Sequence, residues 1–384
     1  MPKVSPGRAA VGLAHRAGHR PYRLDDDASE GYSPSEWMVS LAPGVSGGSV
    51  EQRPARILHP MLTQKAARSP TLSTGPQQPD PSLVCYFEGA MVPLVDAKVG
   101  VMTHGFLYGT AVFEGIRAYW NEEHEQLYGL LLGPHFKRMS RSGKVLLMDM
   151  PHSTDELVDI SVDMLRRNGF RQDAYIRATL YKSTQAIGVR LHNLDTELVI
   201  FGVPFGEYIS IDRGITAQTV SWRRNADTAI PARAKIVGAY ANSAFSKSEA
   251  QLNGYDEAIV LTHDGHVSEG SAENLFLVRD GRLITPSVTD DILEGITRSA
   301  LMRLAREELG LDTVERAVDR SELYICDELF LCGTGAQISP VVSVDHRSVG
   351  EGTVGPITSR LTELYFDAVR GRLPAYMDWL TPIY

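Results

Sequence analysis

Lys235 is the residue of this chain whose surroundings best suit covalent chemistry. It lies in the stretch from Ile230 to Tyr240, where small and apolar residues predominate and no acid stands close in sequence to pair with it. An amine attacks a carbonyl carbon well only when its pKa is lowered, and burial lowers it. The local sequence by itself favours a surface lysine beside a loop. Features elsewhere in the chain lead us to expect that Lys235 forms a Schiff base.

About thirty residues further on, two acids are embedded among small residues. Glu269 and Glu273 lie in the stretch Val267–Phe276, which ends in an apolar run. An acid that is held apart from a reactive amine could stabilise a positive charge on a bound ring. Taken alone, Glu269 is more typical of a carboxylate at the edge of a hairpin.

Three further features could bind a ligand. Tyr240 follows Lys235 by five residues and could face the same ligand if the chain turns between them; otherwise it is a half-buried aromatic at a helix start. Gly295-Ile296-Thr297 begins a helix, where free amides and the helix dipole attract anions. Cys332–Ala336 is a turn of small residues after an apolar strand. A simple helix cap and an ordinary tight turn are the alternatives for the last two.

Together these features supply an amine, a partner for a pyridinium nitrogen, a phosphate cradle and a carboxylate cradle. That combination is what pyridoxal phosphate requires of a protein. No feature is specific alone, and the prediction depends on the structure bringing them together.

The elements that must position these residues are mixed helices and strands without strict alternation, which indicates an α+β fold. The sequence predicts strands at 174–181, 197–203, 216–222, 256–262 and 274–279, and helices at 134–147, 241–252 and from Gly295 to Gly310. A polar cap at Ser153 and Gly169 bound another helix. We predict a small domain over 82–203, a linker over 204–213 and a large domain over 214–384.

Residues 1–81 differ from the rest of the chain. Ten of the 21 prolines fall within residues 1–80, and the segment lacks periodicity, which predicts a disordered extension. The segment contains nine Lys/Arg and seven Asp/Glu, a net charge of +2. The whole chain carries −9, so the remaining residues carry −11. No basic stripe indicates nucleic acid as a partner, and no apolar run is long enough to span a bilayer.

Cysteines and histidines indicate no disulfide framework and no metal site. The three cysteines are not spaced as a metal clip, and the eleven histidines form no HExxH pattern. We expect a cytoplasmic protein with reduced cysteines.

The chain resembles the fold-type IV (class IV) aminotransferases, and most closely the branched-chain amino acid aminotransferases. The matching stretches follow the family order from about residue 84 almost to the C-terminus. They are Val95–Val99, His104–Thr110, Val112–Arg117, Tyr175–Arg177, the Lys235 segment, Ser268–Phe276, Gly295–Arg298 and Gly333–Thr334. The resemblance implies two domains with the active site at their interface, and bound pyridoxal phosphate.

The resemblance also implies how the cofactor is held. Lys235 matches the Schiff-base lysine and catalytic group, Glu269 the acid on the ring nitrogen, and Tyr240 the phenol near the ring oxygen. The phosphate would be bound by Arg138, Ile296, Thr297 and Thr334.

For the substrate, the resemblance implies a carboxylate site at the amides of Gly335 and Ala336, aided by Tyr175. Arg177 matches the residue that receives the distal carboxylate of glutamate. The side-chain pocket would be formed by Phe113, Phe205 and Tyr208. Tyr108 and Val189 match positions supplied by the neighbouring subunit, so a homodimer or larger homo-oligomer is implied.

The predicted reaction is transamination of leucine, isoleucine and valine with 2-oxoglutarate. Phe205, Ala178 and Gly335 replace a tryptophan, a proline and an alanine of the family pattern, and they touch the space for the substrate side chain. A related class IV transaminase for another amino acid or amine is therefore an alternative. A catalytically silent scaffold relative is a more remote one.

Overall fold

The computed structural model describes residues 80–206 and 213–384, which form two β-sheets and their covering helices. The first sheet has seven strands, all antiparallel, in the order β16-β4-β3-β5-β6-β1-β2. They are β1 (Val84–Phe87), β2 (Ala90–Pro93), β3 (Ala111–Asn121), β4 (Gln126–Leu130), β5 (Ala174–Lys182), β6 (Thr196–Pro204) and β16 (Leu380–Pro382).

The second sheet holds the strands between β6 and β16, and it is mixed. Its order is β12-β11-β10-β13-β14-β7-β8-β9, and β15 pairs with β14. The strands are β7 (Ile215–Arg223), β8 (Glu257–Leu261), β9 (Val267–Gly270), β10 (Asn274–Arg279), β11 (Arg282–Thr285), β12 (Thr313–Glu315), β13 (Glu328–Gly333), β14 (Gln337–Val344) and β15 (Arg347–Ser348).

Six α-helices complete the described fold: α1 (His104–Tyr108), α2 (Leu132–Val145), α3 (Thr154–Asn168), α4 (Tyr240–Leu252), α5 (Ile296–Leu309) and α6 (Pro356–Val369). The predicted start and stop signals of two of them act as expected. Ser153 and Glu156 form a capping box on α3, and Gly169 ends that helix in the left-handed conformation. Gly310 ends α5 in the same way.

Apolar clusters support the two sheets, and one of them includes residues of both. Buried side chains of β3, β5 and β6 pack with those of α2 and α3. α5 and α6 pack against the second sheet around Phe276, Leu301 and Phe330. The predicted α+β class is confirmed. β16, near the C-terminus, pairs with β4 in the first sheet. The predicted division into domains stays a prediction.

Within the described residues, no helix is long and apolar enough to cross a membrane. No cluster of His, Cys, Asp and Glu side chains in these ranges could hold a metal ion. Cys85, Cys326 and Cys332 are buried thiols.

Candidate active site

A cavity of about 370 Å³ opens where the two sheets and the N-terminus of α5 meet. Its walls include most of the residues that the sequence singled out, although they come from stretches up to about 220 positions apart. Those lining it are Phe113, Arg138, Tyr175, Arg177, Phe205, Lys235, Tyr240, Glu269, Ile296, Thr297, Thr334, Gly335 and Ala336. Tertiary folding thus gathers groups that were individually ambiguous in sequence.

Lys235 extends its amine into this cavity. Its backbone is fixed on both sides, because its carbonyl accepts a hydrogen bond from the Phe113 amide at 3.0 Å and its amide donates to the Ser142 hydroxyl at 3.1 Å. A short 3₁₀ turn then reverses the chain, so that Lys235 Nζ donates to Tyr240 Oη at 2.6 Å. The amine also lies 4.9 Å from the centre of the Phe113 ring. No carboxylate pairs with it among the described residues.

Glu269 lies at another wall of the cavity and is almost fully buried. Its Oε1 is 2.6 Å from Arg224 Nη2, while Asn274 Nδ2 and the Leu293 amide donate to Oε2 at 2.8 and 3.2 Å. Burial raises the pKa of the Glu269 carboxyl, and the positive charge of Arg224 and the Leu293 amide act against that rise. The Glu269 side chain is therefore held in one orientation, with Arg224 as its charge partner.

Arg138 is held in place by Glu114. The alternation of β3 sends Phe113 and Gly115 to the cavity and Glu114 to the opposite face, where α2 packs. Both Glu114 oxygens accept from Arg138, each at 2.7 Å, and His135 Nδ1 lies 2.8 Å from one of them. Burial alone would raise the pKa of Glu114, but the charge and hydrogen bonds of Arg138 and His135 lower it to about 2.

After these bonds Arg138 retains donors for an anion. A guanidinium has five N–H groups, of which two serve Glu114 and one serves the Glu294 carbonyl at 2.9 Å. Two N–H groups remain on a side chain that lines the cavity.

The N-terminus of α5 lies beside Arg138. Its N-cap residue, Gly295, makes no side-chain cap hydrogen bond, so the first amides of the helix are free to bind an anion. Glycine is required there, because a Cβ would lie 1.9 Å from Asn274 Oδ1. Asn274 thereby links the helix start to Glu269.

Arg117 orients the turn between β13 and β14. This fully buried guanidinium donates to the carbonyls of Thr334 and Gly335 at 3.3 and 3.2 Å, and to those of Phe205 and Gly206 at 3.0 and 3.1 Å. In a trans peptide the N–H points opposite to the preceding C=O. The amides of Gly335 and Ala336 therefore point away from Arg117, and neither donates to another described residue.

Aromatic side chains and one arginine form the remaining wall. Arg177 Nη2 donates to Tyr175 Oη at 2.9 Å, and its guanidinium carbon lies 4.3 Å from the centre of the Phe113 ring. The rings of Tyr175 and Phe205 are 5.2 Å apart. Gly115 makes room for this arrangement, since a Cβ there would lie 2.2 Å from Tyr175 Oη.

Three predicted residues do not join this set. Tyr108 accepts a hydrogen bond from the Gly188 amide at 3.1 Å, and Val189 is 84% exposed; neither lines the cavity of its own chain. That placement is compatible with positions that serve a neighbouring subunit. Tyr208 lies outside the described residues.

Several residues of the site had no role assigned from the sequence. Glu114 and Arg117 stand within a motif whose charges are unusual for a strand with eleven buried residues, and that signal could have marked them. Arg224 and Asn274 gave no such signal, because their relation to Glu269 exists only after β7, β9 and β10 are assembled.

Comparison with known proteins identifies the family. Residues 111–344 match the model of the amino-transferase class IV family. A probable branched-chain-amino-acid aminotransferase of Aquifex aeolicus is 48% identical over 299 residues, which cover 78% of this chain and 96% of that protein. The chain belongs to the class IV aminotransferase family. The branched-chain-amino-acid aminotransferase of Escherichia coli K12 is 40% identical over 302 residues, covering 78% of this chain and 96% of that one.

Solved structures of class IV aminotransferases share the fold. A branched-chain aminotransferase of Thermoproteus uzoniensis with norvaline gives a TM-score of 0.76 at 42% identity, covering 79% of this chain and all of that chain. The branched-chain amino acid aminotransferase of Thermobaculum terrenum in its PLP-bound holo-form gives 0.76 at 38%, covering 80% of this chain and all of that one. The predicted family and fold are therefore confirmed.

The donor set of this cavity fits the cofactor of that second structure. Arg138 and the α5 amides can bind a phosphate, Glu269 can face a ring nitrogen, and the Lys235 amine lies in the same space. Gly295, where any Cβ would collide, is the residue type that such a cradle needs.

Proposed function

We propose that this chain transfers the amino group of branched-chain L-amino acids to 2-oxoglutarate, with pyridoxal phosphate bound to Lys235. The observation that carries the proposal is the position of the Lys235 amine. The amine shares one cavity with an aromatic wall, with Glu269 paired to Arg224, and with the N-terminus of α5. Beside that helix start lies Arg138, which has two unused N–H groups. The named aminotransferases above support it, since the chain covers nearly their whole length.

Bound pyridoxal phosphate supplies an electron-accepting ring that stabilises a negative charge at the substrate Cα. Lys235 is the group that holds the cofactor and, once free, moves the proton to and from Cα as general base and acid. Tyr240 Oη, 2.6 Å from Nζ, keeps the amine directed into the cavity and would meet the ring oxygen.

Glu269 would keep the ring nitrogen of the bound cofactor protonated. Its carboxylate must remain an anion there, and Arg224 together with the Leu293 amide favours that form. A positive ring nitrogen would lower the pKa of Glu269 further, against the effect of burial.

Two sets of donors position the ends of cofactor and substrate. Arg138, the amides of Ile296 and Thr297, and the Thr334 hydroxyl would bind the phosphate. The substrate carboxylate would accept hydrogen bonds from the amides of Gly335 and Ala336, with the Tyr175 hydroxyl beside them. Arg117 orients these amides, because it binds the carbonyls on the opposite side of the turn.

The aromatic wall selects the side chain. Phe113, Phe205 and the rim that Tyr208 is predicted to complete would bury an aliphatic group, at roughly 0.8 kcal/mol per methylene. Arg177 would receive the distal carboxylate of glutamate. Norvaline and 4-methylvaleric acid, the ligands of two similar structures, are aliphatic in the same way.

A second copy of the chain would complete the site. The segments 95–108 and 184–189 adjoin, because the His104 amide donates to the Thr184 carbonyl and His104 Nε2 lies 2.9 Å from the Gly188 carbonyl. They expose Val101, Phe106, Ile187 and Val189 at 77%, 68%, 83% and 84%. Exposed apolar side chains on two adjoining segments are typical of a subunit interface. The buried thiols fit the cytoplasmic location that we expect.

A donor panel tests the proposal. We expect leucine, isoleucine and valine to be turned over with 2-oxoglutarate, and Lys235→Ala to lose the visible absorption of the bound cofactor together with activity. Turnover confined to other donors would favour a different class IV transaminase. A colourless protein in which borohydride traps no cofactor on Lys235 would favour the scaffold alternative.

A further inference from the structure

A second carboxyl group lies in the cavity wall, and the proposed chemistry does not use it. Glu273 is 7% exposed, and its Oε2 accepts a hydrogen bond from the Ala272 amide at 3.0 Å. Small residues enclose it: a Cβ on Gly270 would lie 2.9 Å from Oε2, and one on Gly333 would lie 3.7 Å from Cγ. Its other oxygen, Oε1, makes no hydrogen bond within the described residues although the side chain lines the cavity.

The charges around Glu273 do not balance. Two other buried acids, Glu257 on β8 and Glu269 on β9, lie near enough to Glu273 for their negative charges to act on it. The ion pairs among the described residues assign Lys247 of α4 to Glu257, at 2.5 Å, and Arg224 to Glu269, at 2.6 Å. A third buried anion would thus face two others across a medium of low polarity, which is costly.

Protonation of one carboxyl relieves this conflict. Burial first, and then the negative charges of Glu257 and Glu269, raise the pKa of Glu273, while Lys247 and the Ala272 amide act against the rise; the net result is a pKa of about 8. The buried Cys332 thiol, also in the cavity wall, is neutral because burial raises its pKa. Burial and the neighbouring negative charges thus favour the protonated form of Glu273.

We propose that Glu273 is a positioning residue that carries a proton at neutral pH, so that Glu269 alone presents negative charge to the ring nitrogen. In alkaline solution Glu273 ionises and adds a second negative charge at the same end of the cavity. This inference rests on the proposed function, because it concerns the charge that the bound ring meets.

Absorption of the bound cofactor against pH tests the proposal. Glu273→Gln keeps the size of the side chain and the oxygen that accepts from Ala272, but cannot ionise. An ionised Glu273 would raise the pKa of a positively charged group on the bound cofactor, and glutamine at this position would not. We therefore expect the alkaline midpoint of the absorption change to fall by about 0.5–1 pH unit in Glu273→Gln.

Glu123→Gln, at an exposed carboxyl on the turn after β3, is the control and should leave the midpoint where the wild type has it. Superimposable curves for wild type and Glu273→Gln would overturn the proposal. A wild-type protein with no cofactor absorption would instead overturn the proposed function, and the next measurement would still test Glu273.

That measurement is the thermal unfolding of the cofactor-free protein. The folded pKa of Glu273 is raised above its unfolded value, so its contribution is fully present below about pH 4.5 and is lost as pH rises through about 8. Between about pH 6 and about pH 9 we expect Glu273→Gln to gain about 2–4 °C in unfolding midpoint relative to the wild type. A constant difference between the two proteins would contradict the proposal.

If Glu273→Gln fails to fold, infrared difference spectra of the wild-type holoenzyme decide. A protonated-carboxyl band that disappears between about pH 6 and about pH 9 is expected. Absence of any such band would overturn the proposal.

Discussion

Single side chains in this site work because a second residue holds each of them. Lys235 is directed by Tyr240, Glu269 by Arg224 and Asn274, and Arg138 by Glu114. The sequence identified Lys235 and Glu269 from their chemistry, and Arg138 only through the resemblance to the family. The holding residues were harder to find, because they come from other elements and have ordinary local surroundings.

Glu114 provides a prediction on stability and pH. The pKa of this carboxyl is lowered to about 2 in the folded protein, so its contribution is present above about pH 4.5 and is lost as pH falls toward about 2. Glu114→Gln should lower the free energy of unfolding near neutral pH by about 3 kcal/mol or more, and should flatten its dependence on acid. Denaturant unfolding at several pH values measures both effects.

The matched control for that experiment is Glu363→Gln. Glu363 forms an exposed ion pair with Arg360, and its loss should change the free energy of unfolding by less than about 1 kcal/mol. Equal effects of the two substitutions would contradict the role assigned to Glu114.

Arg117 is a separate case, because its partners are four carbonyls and not a carboxylate. Arg117→Lys keeps the positive charge but not the planar fork that reaches both the Thr334 turn and Phe205. We expect the KM for the amino acid donor to rise at least about ten-fold, a loss of about 1.4 kcal/mol in binding. Steady-state kinetics measures this, and an unchanged KM would show that the turn holds its own shape. Arg171→Lys, at an arginine outside the cavity that stacks on Tyr384, is the control.

At the scale of elements, the site depends on the junction of α5 with β9 and β10. The helix presents free amides because Gly295 adds no side chain, and the same glycine admits Asn274, which binds Glu269. One close contact therefore couples the end of the cavity that we propose binds the phosphate to the end that holds Glu269.

Gly295→Ala should disrupt both ends together. The new Cβ would meet Asn274 Oδ1 at 1.9 Å, so the backbone or Asn274 must move, at a cost of about 1–3 kcal/mol in the free energy of unfolding. We expect the Kd for pyridoxal phosphate to rise more than about ten-fold, which a fluorescence titration measures. Gly133→Ala is the control, because in α2 the nearest atom to the new Cβ is 4.0 Å away. Similar affinity in the two variants would contradict this coupling.

At the scale of the whole molecule, the segments 95–108 and 184–189 leave exposed apolar side chains, which we propose that a second copy of the chain covers. Phe106→Glu places a charge among the exposed apolar side chains of the segments 95–108 and 184–189. We expect it to shift the protein toward monomer and to lower activity, since Tyr108 and Val189 are proposed to serve a neighbouring cavity. Light scattering after size exclusion measures the mass.

Leu252→Glu is the control for that experiment. Leu252 is 88% exposed at the end of α4, away from both segments in sequence, and its replacement should change neither mass nor activity. A Phe106→Glu protein with wild-type mass would remove this surface from consideration as the interface.

The sequence by itself determined the element types and the chemistry available. Capping residues and periodicity located α3 and α5 to within a residue, and an amine in an apolar stretch marked Lys235. β16 and α6 were not predicted, and β3 was quoted as a motif without being assigned as a strand. Its eleven residues are buried on both faces, so it lacks the alternation that reveals a strand.

Only the tertiary structure decided which groups share a cavity and which charges they carry. Lys235 and Tyr240 meet because a 3₁₀ turn joins them, and Glu269 meets Arg224 because β7 and β9 flank β8. The balance of buried charge around Glu257, Glu269 and Glu273 depends on distances and burial. Local sequence does not contain those quantities, because each is set by residues that are remote along the chain.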